Sequence, residues 1–120
     1  FSAASLADIP KMTDELESEA RALSAETSAA PDLVARVEAF STEAQDLANA
    51  LHRAGVGQDM PCVFQAIAVD ARERAQELAA ADTQGERDAA FMNLRVLMDD
   101  TVTIAPLAAA AAADREFALR

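Results

Sequence analysis

One stretch decides the predicted fold: PDLVARVEAFSTEAQDLANALHRAG, residues 31–55. Its main apolar residues follow one another at intervals of 4, 3, 4, 3, 4 and 3, so on an α-helix they lie on one narrow face. Such a face packs against neighbouring helices that cross it at about 20°. Pro31 suits the first helical turn and Gly55 suits the left-handed position after the last one, so the predicted helix spans 31–54. The face consists of Leu33, Val37, Phe40, Ala44, Leu47, Leu51 and Ala54.

Three further segments, 8–26, 60–81 and 84–113, show the same helical spacing of apolar residues. The first two start beside an aspartate, Asp8 and Asp59, whose carboxylate is predicted to cap the helix by accepting from its free amides. A proline follows each aspartate within the first turn, as is typical of helix N-termini. The chain is therefore predicted to hold four helices.

The fourth segment has the clearest start signal and also an interruption. Thr83 and Glu86 have the spacing of a capping box, in which each side chain accepts from the backbone amide of the other residue. Pro106 lies inside the segment, where it removes the hydrogen bond to the Val102 carbonyl at a cost of about 3 kcal/mol. A kink or a break in the fourth helix is therefore predicted near Pro106.

These segments predict an all-α fold, a single domain over residues 1–120 built as an antiparallel up-down four-helix bundle. Connectors of about 3 to 7 residues favour antiparallel neighbours. The composition is rich in alanine, lacks tyrosine and tryptophan and includes three glycines, which is typical of a helical protein.

The chain is strongly acidic, with a net charge of −11 from 21 acids and 10 bases. Nucleic acids and anionic membranes need clustered positive charge, so neither is a predicted partner. The uncharged run Ala108–Ala113 is far shorter than the roughly 20 apolar residues of a membrane span, and no membrane insertion is predicted. A first residue of Phe1 rather than Met favours an exported or periplasmic protein with an upstream segment removed, with a cytoplasmic location as the alternative.

The residue types needed for metal binding and catalysis are scarce. Metal sites in helical bundles use Glu-x-x-His pairs, and the chain has a single histidine and no such pair, so no metal and no cofactor are predicted. The acidic residues Asp14, Glu15, Glu17 and Glu19 are interpreted as a solvated helix face.

Two side chains are candidates for reactivity. Cys62 lies near the start of the third helix, where the helix N-terminus favours a thiolate, and it is the candidate redox thiol. The alternative for this lone cysteine is the role of a small buried hydrophobic residue. His52 is the sole imidazole and precedes the same loop. Because no orienting residue accompanies the two, a cysteine–histidine enzyme is not predicted and no catalytic residue is assigned.

An acidic four-helix domain of this length, with a histidine on its second helix, resembles the histidine phosphotransfer domains. The resemblance implies an exposed imidazole that accepts and passes on a phosphoryl group, with His52 as the phosphoacceptor. In that family a lysine follows the histidine and the helix continues, whereas here Arg53 follows and Gly55 ends the helix.

The layout is also similar to small b-type cytochromes, with Met12 in the place of one haem ligand. The fourth segment has no histidine that could be the other haem ligand.

The function predicted first is therefore non-catalytic: an acidic helical-bundle module for interaction, sensing or small-ligand binding. Histidine phosphotransfer through His52 is the alternative. The positive evidence is surplus apolar surface beside the main helical faces, of which some must widen the core and the rest would form a dimer face or a ligand groove, so a protein partner or self-association is predicted. The residues concerned are Val34, Val56, Val63, Val69, Met92 and Val96.

Overall fold

The computed structural model describes residues 6–28, 30–57 and 59–120, and within them all regular structure is helical. Four α-helices pack against one another, which confirms the predicted all-α four-helix fold. A short 3₁₀ turn at Leu6–Asp8 leads into the first of them. The helices are α1 (Ile9–Ser24), α2 (Leu33–Arg53), α3 (Met60–Ala80) and α4 (Gln84–Ala118).

The core lies along the predicted face of α2, where Ala54 is half-buried and the other members of that face are buried. The most extensive helix contacts join α2 to α3 and α1 to α4. Phe40 and Phe64 are the largest fully buried side chains and come from α2 and α3. Across the same pair of helices the buried Ser41 hydroxyl donates to the Ala68 carbonyl at 2.6 Å. The α2–α3 pair is therefore joined by both apolar packing and a buried hydrogen bond.

The longest element is α4, whose 35 residues extend for about 52 Å at 1.5 Å per residue. The longest dimension of the molecule is 55 Å, so α4 alone nearly spans it. The helix runs without interruption through Pro106, so the alternative of a break there is wrong, and it continues beyond the predicted end at residue 113. Ala105 and Ala108 flank the proline and are buried, and alanine has the highest helix propensity, so packing and propensity offset the lost hydrogen bond.

The starts of the helices agree with the sequence prediction in one case and differ in two. The Thr83–Glu86 capping box is confirmed: the Thr83 hydroxyl accepts from the Glu86 amide, and the Glu86 carboxylate accepts from the Thr83 amide, both at 3.1 Å. Asp8 and Asp59 occupy N-cap positions, but neither side chain makes a cap hydrogen bond, so those two caps were predicted wrongly. Both have right-handed helical backbone angles, whereas a capping side chain needs the extended angles that Thr83 adopts.

The capping box yields a stability prediction. Thr83→Ala leaves the Glu86 amide without its acceptor, and we expect the free energy of unfolding to fall by about 1 kcal/mol. Urea denaturation followed by circular dichroism measures the change. Thr42→Ala is the matched control, because Thr42 is exposed inside α2 and its hydroxyl donates only to the Glu38 carbonyl one turn back. The free energy of unfolding of the control should be unchanged or slightly higher. Equal losses of that free energy in both variants would contradict the capping role.

Candidate functional site

The end of α2 holds His52, and its backbone is closed by a Schellman motif. Gly55 has a φ of 68°, which confirms the predicted left-handed position. The Val56 amide donates to the Leu51 carbonyl at 3.0 Å, and the Gly55 amide donates to the His52 carbonyl at 3.1 Å. Val56 is 3% exposed, and an apolar contact of the residue after the glycine is common in this motif. This turn therefore fixes the end of α2 and accounts for one of the surplus valines.

Arg115 of α4 covers this helix end. Its Nε donates to the Ala54 carbonyl at 3.3 Å, and its guanidinium lies 3.2 Å from where a side chain on Gly55 would begin. A cation at a helix C-terminus is favourable, because the last carbonyls carry partial negative charge. Sequence reasoning missed this contact because Arg115 lies 61 residues away from its acceptor and belongs to no local motif.

The two candidate reactive side chains are both exposed and are not joined to each other by a hydrogen bond. His52 lies on the last turn of α2, and Cys62 is the third residue of α3. Exposure of Cys62 overturns the interpretation as a buried hydrophobic residue. Met12, the residue compared with a haem ligand, is half-buried and packs against the core.

Acidic side chains from two helices meet at the surface between α1 and α2. Asp14, Glu15 and Glu19 of α1 line a depression of about 400 Å³ with Glu43 of α2. Desolvation raises the pKa of the Glu43 carboxyl, and repulsion from Glu19, Glu15 and Asp46 raises it further. Among the described residues, no group of three or more His, Cys, Asp or Glu side chains is arranged to hold a metal ion. The depression is thus an acidic surface whose charges repel one another.

The exposed large apolar side chains concentrate on one side of α4. Met92, Val96, Leu107 and Phe117 are 66%, 57%, 54% and 76% exposed. At 100° per residue they fall within an arc of about 80° on a straight helix, and we name these four residues the outer stripe. Sequence analysis identified Met92 and Val96 and missed the other two, although all four follow one helical period. The outer stripe is the largest group of exposed apolar side chains on any described helix.

A recess adjoins the N-terminal half of the outer stripe. It has a volume of about 390 Å³ and lies where α4 passes the connector between α1 and α2. Its lining combines three apolar side chains with an arginine, a threonine and two aspartates that are 11 residues apart on α4. We name it the α4 groove; its lining residues are Thr27, Asp88, Phe91, Met92, Arg95, Val96 and Asp99.

The surplus apolar residues divide evenly between core and surface. Val56 is buried, and Val34 and Val63 are half-buried against the core. The other three, Val69, Met92 and Val96, are exposed. The part of the prediction that concerns a wider core is therefore confirmed for three of these residues, and Met92 and Val96 form an exposed pair on α4.

By length and composition, α4 also meets the criterion for a membrane-spanning helix. An 18-residue window has a mean hydropathy of 1.4, and 33% of that window is buried in the bundle. Core helices of water-soluble proteins meet the same criterion, so one such helix is weak evidence for a span. The physical reason here is that α4 holds the uncharged run 101–113 and has apolar residues both on the side that packs in the core and in the outer stripe.

Comparison with known proteins found no relatives: the chain matches no family model, no curated protein and no solved structure.

The turn after α2 yields a second prediction. Gly55→Ala forces an L-residue into left-handed backbone angles and crowds the Arg115 guanidinium, so we expect the free energy of unfolding to fall by about 1–2 kcal/mol. Gly57→Ala is the matched control, because its nearest neighbour, Met60 Cγ, is 4.0 Å away and its φ is negative. The control should be neutral or slightly stabilising in the same denaturation assay. A neutral Gly55→Ala would contradict the account of this turn.

The acidic surface yields a prediction about pH. The folded state raises the pKa of Glu43, so its ionised form opposes folding, and stability is lost as pH rises from the unfolded value of about 4.3 through the folded pKa. Glu43→Gln should therefore raise the free energy of unfolding at neutral pH, and the gain should shrink as pH falls through that window and vanish below it. Denaturation curves across pH measure this. Glu38→Gln, exposed on the same helix and outside the depression, is the control and should show no such trend.

Proposed function

We propose that this chain is a non-catalytic, acidic helical-bundle module that binds a protein partner through the outer stripe and the α4 groove. The observation that carries the proposal is the exposure of the outer stripe on a helix whose opposite side is already buried. Met92 and Val96 lie one turn apart and also line the α4 groove, and exposed apolar patches with polar rims mark interaction sites.

Charge limits the kind of partner. With a net charge of −11, the chain repels nucleic acid and anionic lipid surfaces, as the sequence predicts. Asp99 and Asp100 lie within the apolar half of α4, where a span through hydrocarbon makes two adjacent carboxylates costly. We therefore propose a protein partner in solution and retain the prediction that α4 does not insert in a membrane.

We also propose that the four helices alternate in direction, as in an antiparallel up-down bundle, and that α4 bends at Pro106. Three contacts support the alternation. Arg36 near the start of α2 lies 3.4 Å from Glu19 near the end of α1. Along α4, Asp99 accepts from Ser24 at the end of α1, and Arg115 then donates to the Ala54 carbonyl at the end of α2. Pro106 has no amide proton for the carbonyl one turn back, and helices usually relieve that loss by bending.

Histidine phosphotransfer through His52 is the second candidate function. Exposure of the imidazole on α2 favours it. The position at the C-terminal end of the helix opposes it, because the carbonyl end of a helix repels a phosphoryl anion. The interaction module therefore ranks first.

The outer stripe yields a prediction that separates binding from folding. Met92→Gln combined with Val96→Gln removes exposed apolar groups, so we expect the free energy of unfolding to change by less than about 0.5 kcal/mol. The fluorescence of the neutral hydrophobic dye Nile red, bound to the native chain, should fall several-fold. Val69→Gln on α3 removes an isolated exposed valine and should leave the dye signal unchanged. Absence of dye binding to the native chain, or equal signals in all variants, would remove the basis of the proposal.

The second candidate has its own test. If His52 is a phosphoacceptor, incubation with acetyl phosphate gives an acid-labile adduct that mass spectrometry detects in the native chain and not in His52→Ala. The interaction module predicts no adduct in either protein. A labile adduct that depends on His52 would therefore reverse the ranking of the two functions.

A further inference from the structure

We propose that the partner at the α4 groove is an amphipathic helix of another protein, with two basic residues 11 positions apart and apolar residues between them. This inference rests on the proposed function and adds the chemistry of the partner to it. It follows from the positions of charge and apolar surface in the groove, and it excludes a second copy of this chain as the occupant.

The α4 groove combines apolar lining residues with two carboxylates. Phe91, Met92 and Val96 are the apolar residues, and Asp88 and Asp99 are the first and last residues of α4 that line it. Residues that are 11 positions apart on an α-helix share one face and lie about 16 Å apart. A helix laid along the groove meets both carboxylates if its bases are at i and i+11. The partner helix then contacts the apolar lining of the groove through its own apolar residues at i+3, i+4, i+7 and i+8.

The two carboxylates remain available to a partner. Asp88 accepts from Gln84 at 2.7 Å and Asp99 accepts from Ser24 at 2.5 Å, and both donors are neutral. No ion pair joins either carboxylate to a base in the part of the chain that the structure describes. Arg95 lies between them, but its guanidinium donates to a backbone carbonyl of the α1–α2 connector at 3.2 Å. The ends of the groove therefore keep negative charge that a basic helix complements.

A second copy of this chain does not supply such a helix. No two of its bases are 11 positions apart, and its net charge of −11 opposes self-association. A partner helix with lysine or arginine at both ends of an apolar segment is attracted to the acidic chain, and this attraction speeds its association. The bases of this chain are Lys11, Arg21, Arg36, Arg53, Arg72, Arg74, Arg87, Arg95, Arg115 and Arg120.

The experiment titrates the intact chain into a fluorescently labelled, alanine-rich helical peptide of about 18 residues, about 27 Å long. The peptide carries lysines at i and i+11 and leucines at i+3, i+4, i+7 and i+8, and fluorescence anisotropy measures its Kd. Two reference peptides have the same leucines. One carries glutamates in place of the lysines, and the other has its second lysine moved to i+9, on the opposite side of the helix.

We expect saturable binding of the lysine peptide, with the glutamate peptide at least about tenfold weaker and the i+9 peptide several-fold weaker. Met92→Gln with Val96→Gln should weaken binding at least about tenfold. Asp88→Asn with Asp99→Asn should weaken it about fivefold and remove the preference over the glutamate peptide, and added salt should reduce that preference. Val69→Gln with Asp70→Asn, on the exposed face of α3, is the matched control and should bind like the native chain.

Other results overturn the inference in distinguishable ways. Equal binding of the lysine and glutamate peptides shows that charge does not select the partner. Nile red binding at the outer stripe without any peptide binding refutes the helical partner and leaves the proposed function in place. If neither Nile red nor the peptide binds, both the helical partner and the proposed function are refuted. Light scattering that shows a dimer lost in Met92→Gln with Val96→Gln assigns the groove to a second copy. Flotation with phosphatidylcholine vesicles, lost in the same variant, assigns it to lipid.

Discussion

The structure depends on one long helix, α4, which is buried on its inner side and exposes four large apolar side chains on its outer side. The inner side of α4 is buried against the other helices, and its length nearly equals the longest dimension of the molecule. The C-terminal part of α4 also carries Arg115, which covers the end of α2. Once that inner side is buried, the outer stripe has no described element of the chain left to cover it. The exposed surface is therefore a consequence of how the bundle is held together.

The same arrangement is the basis of our proposal that the chain binds a partner and is not catalytic. The polar groups that the structure does bring together are structural: the Thr83–Glu86 cap, the Schellman turn at Gly55 and the buried bond from Ser41 to Ala68. The acidic depression around Glu43 gathers groups of one charge that repel one another. The outer stripe and the α4 groove have no such structural role among the described residues, and they therefore carry the proposal of a helical partner.

Sequence analysis succeeded where the determining interactions are local and periodic. The face of α2 and the capping box depend on residues within one or two turns, so their spacing is sufficient to predict them. The continuation of α4 through Pro106 depends on burial of the alanines around it, which no local rule contains. Asp8 and Asp59 have the correct residue type for capping but not the backbone angles. The groove combines Thr27 with residues of α4 that are remote in sequence, so only the fold reveals it.

The central claim is that α4 is one continuous helix that presents its outer stripe along the molecule. Pulsed electron paramagnetic resonance tests it most directly, with nitroxide labels on cysteines placed at Met92 and Phe117 in a Cys62→Ser background. A continuous helix predicts one narrow distance distribution near 37 Å between the labelled backbone positions. A broad distribution, or one centred far below that distance, would contradict the claim, because a break at Pro106 brings the two ends of the stripe together.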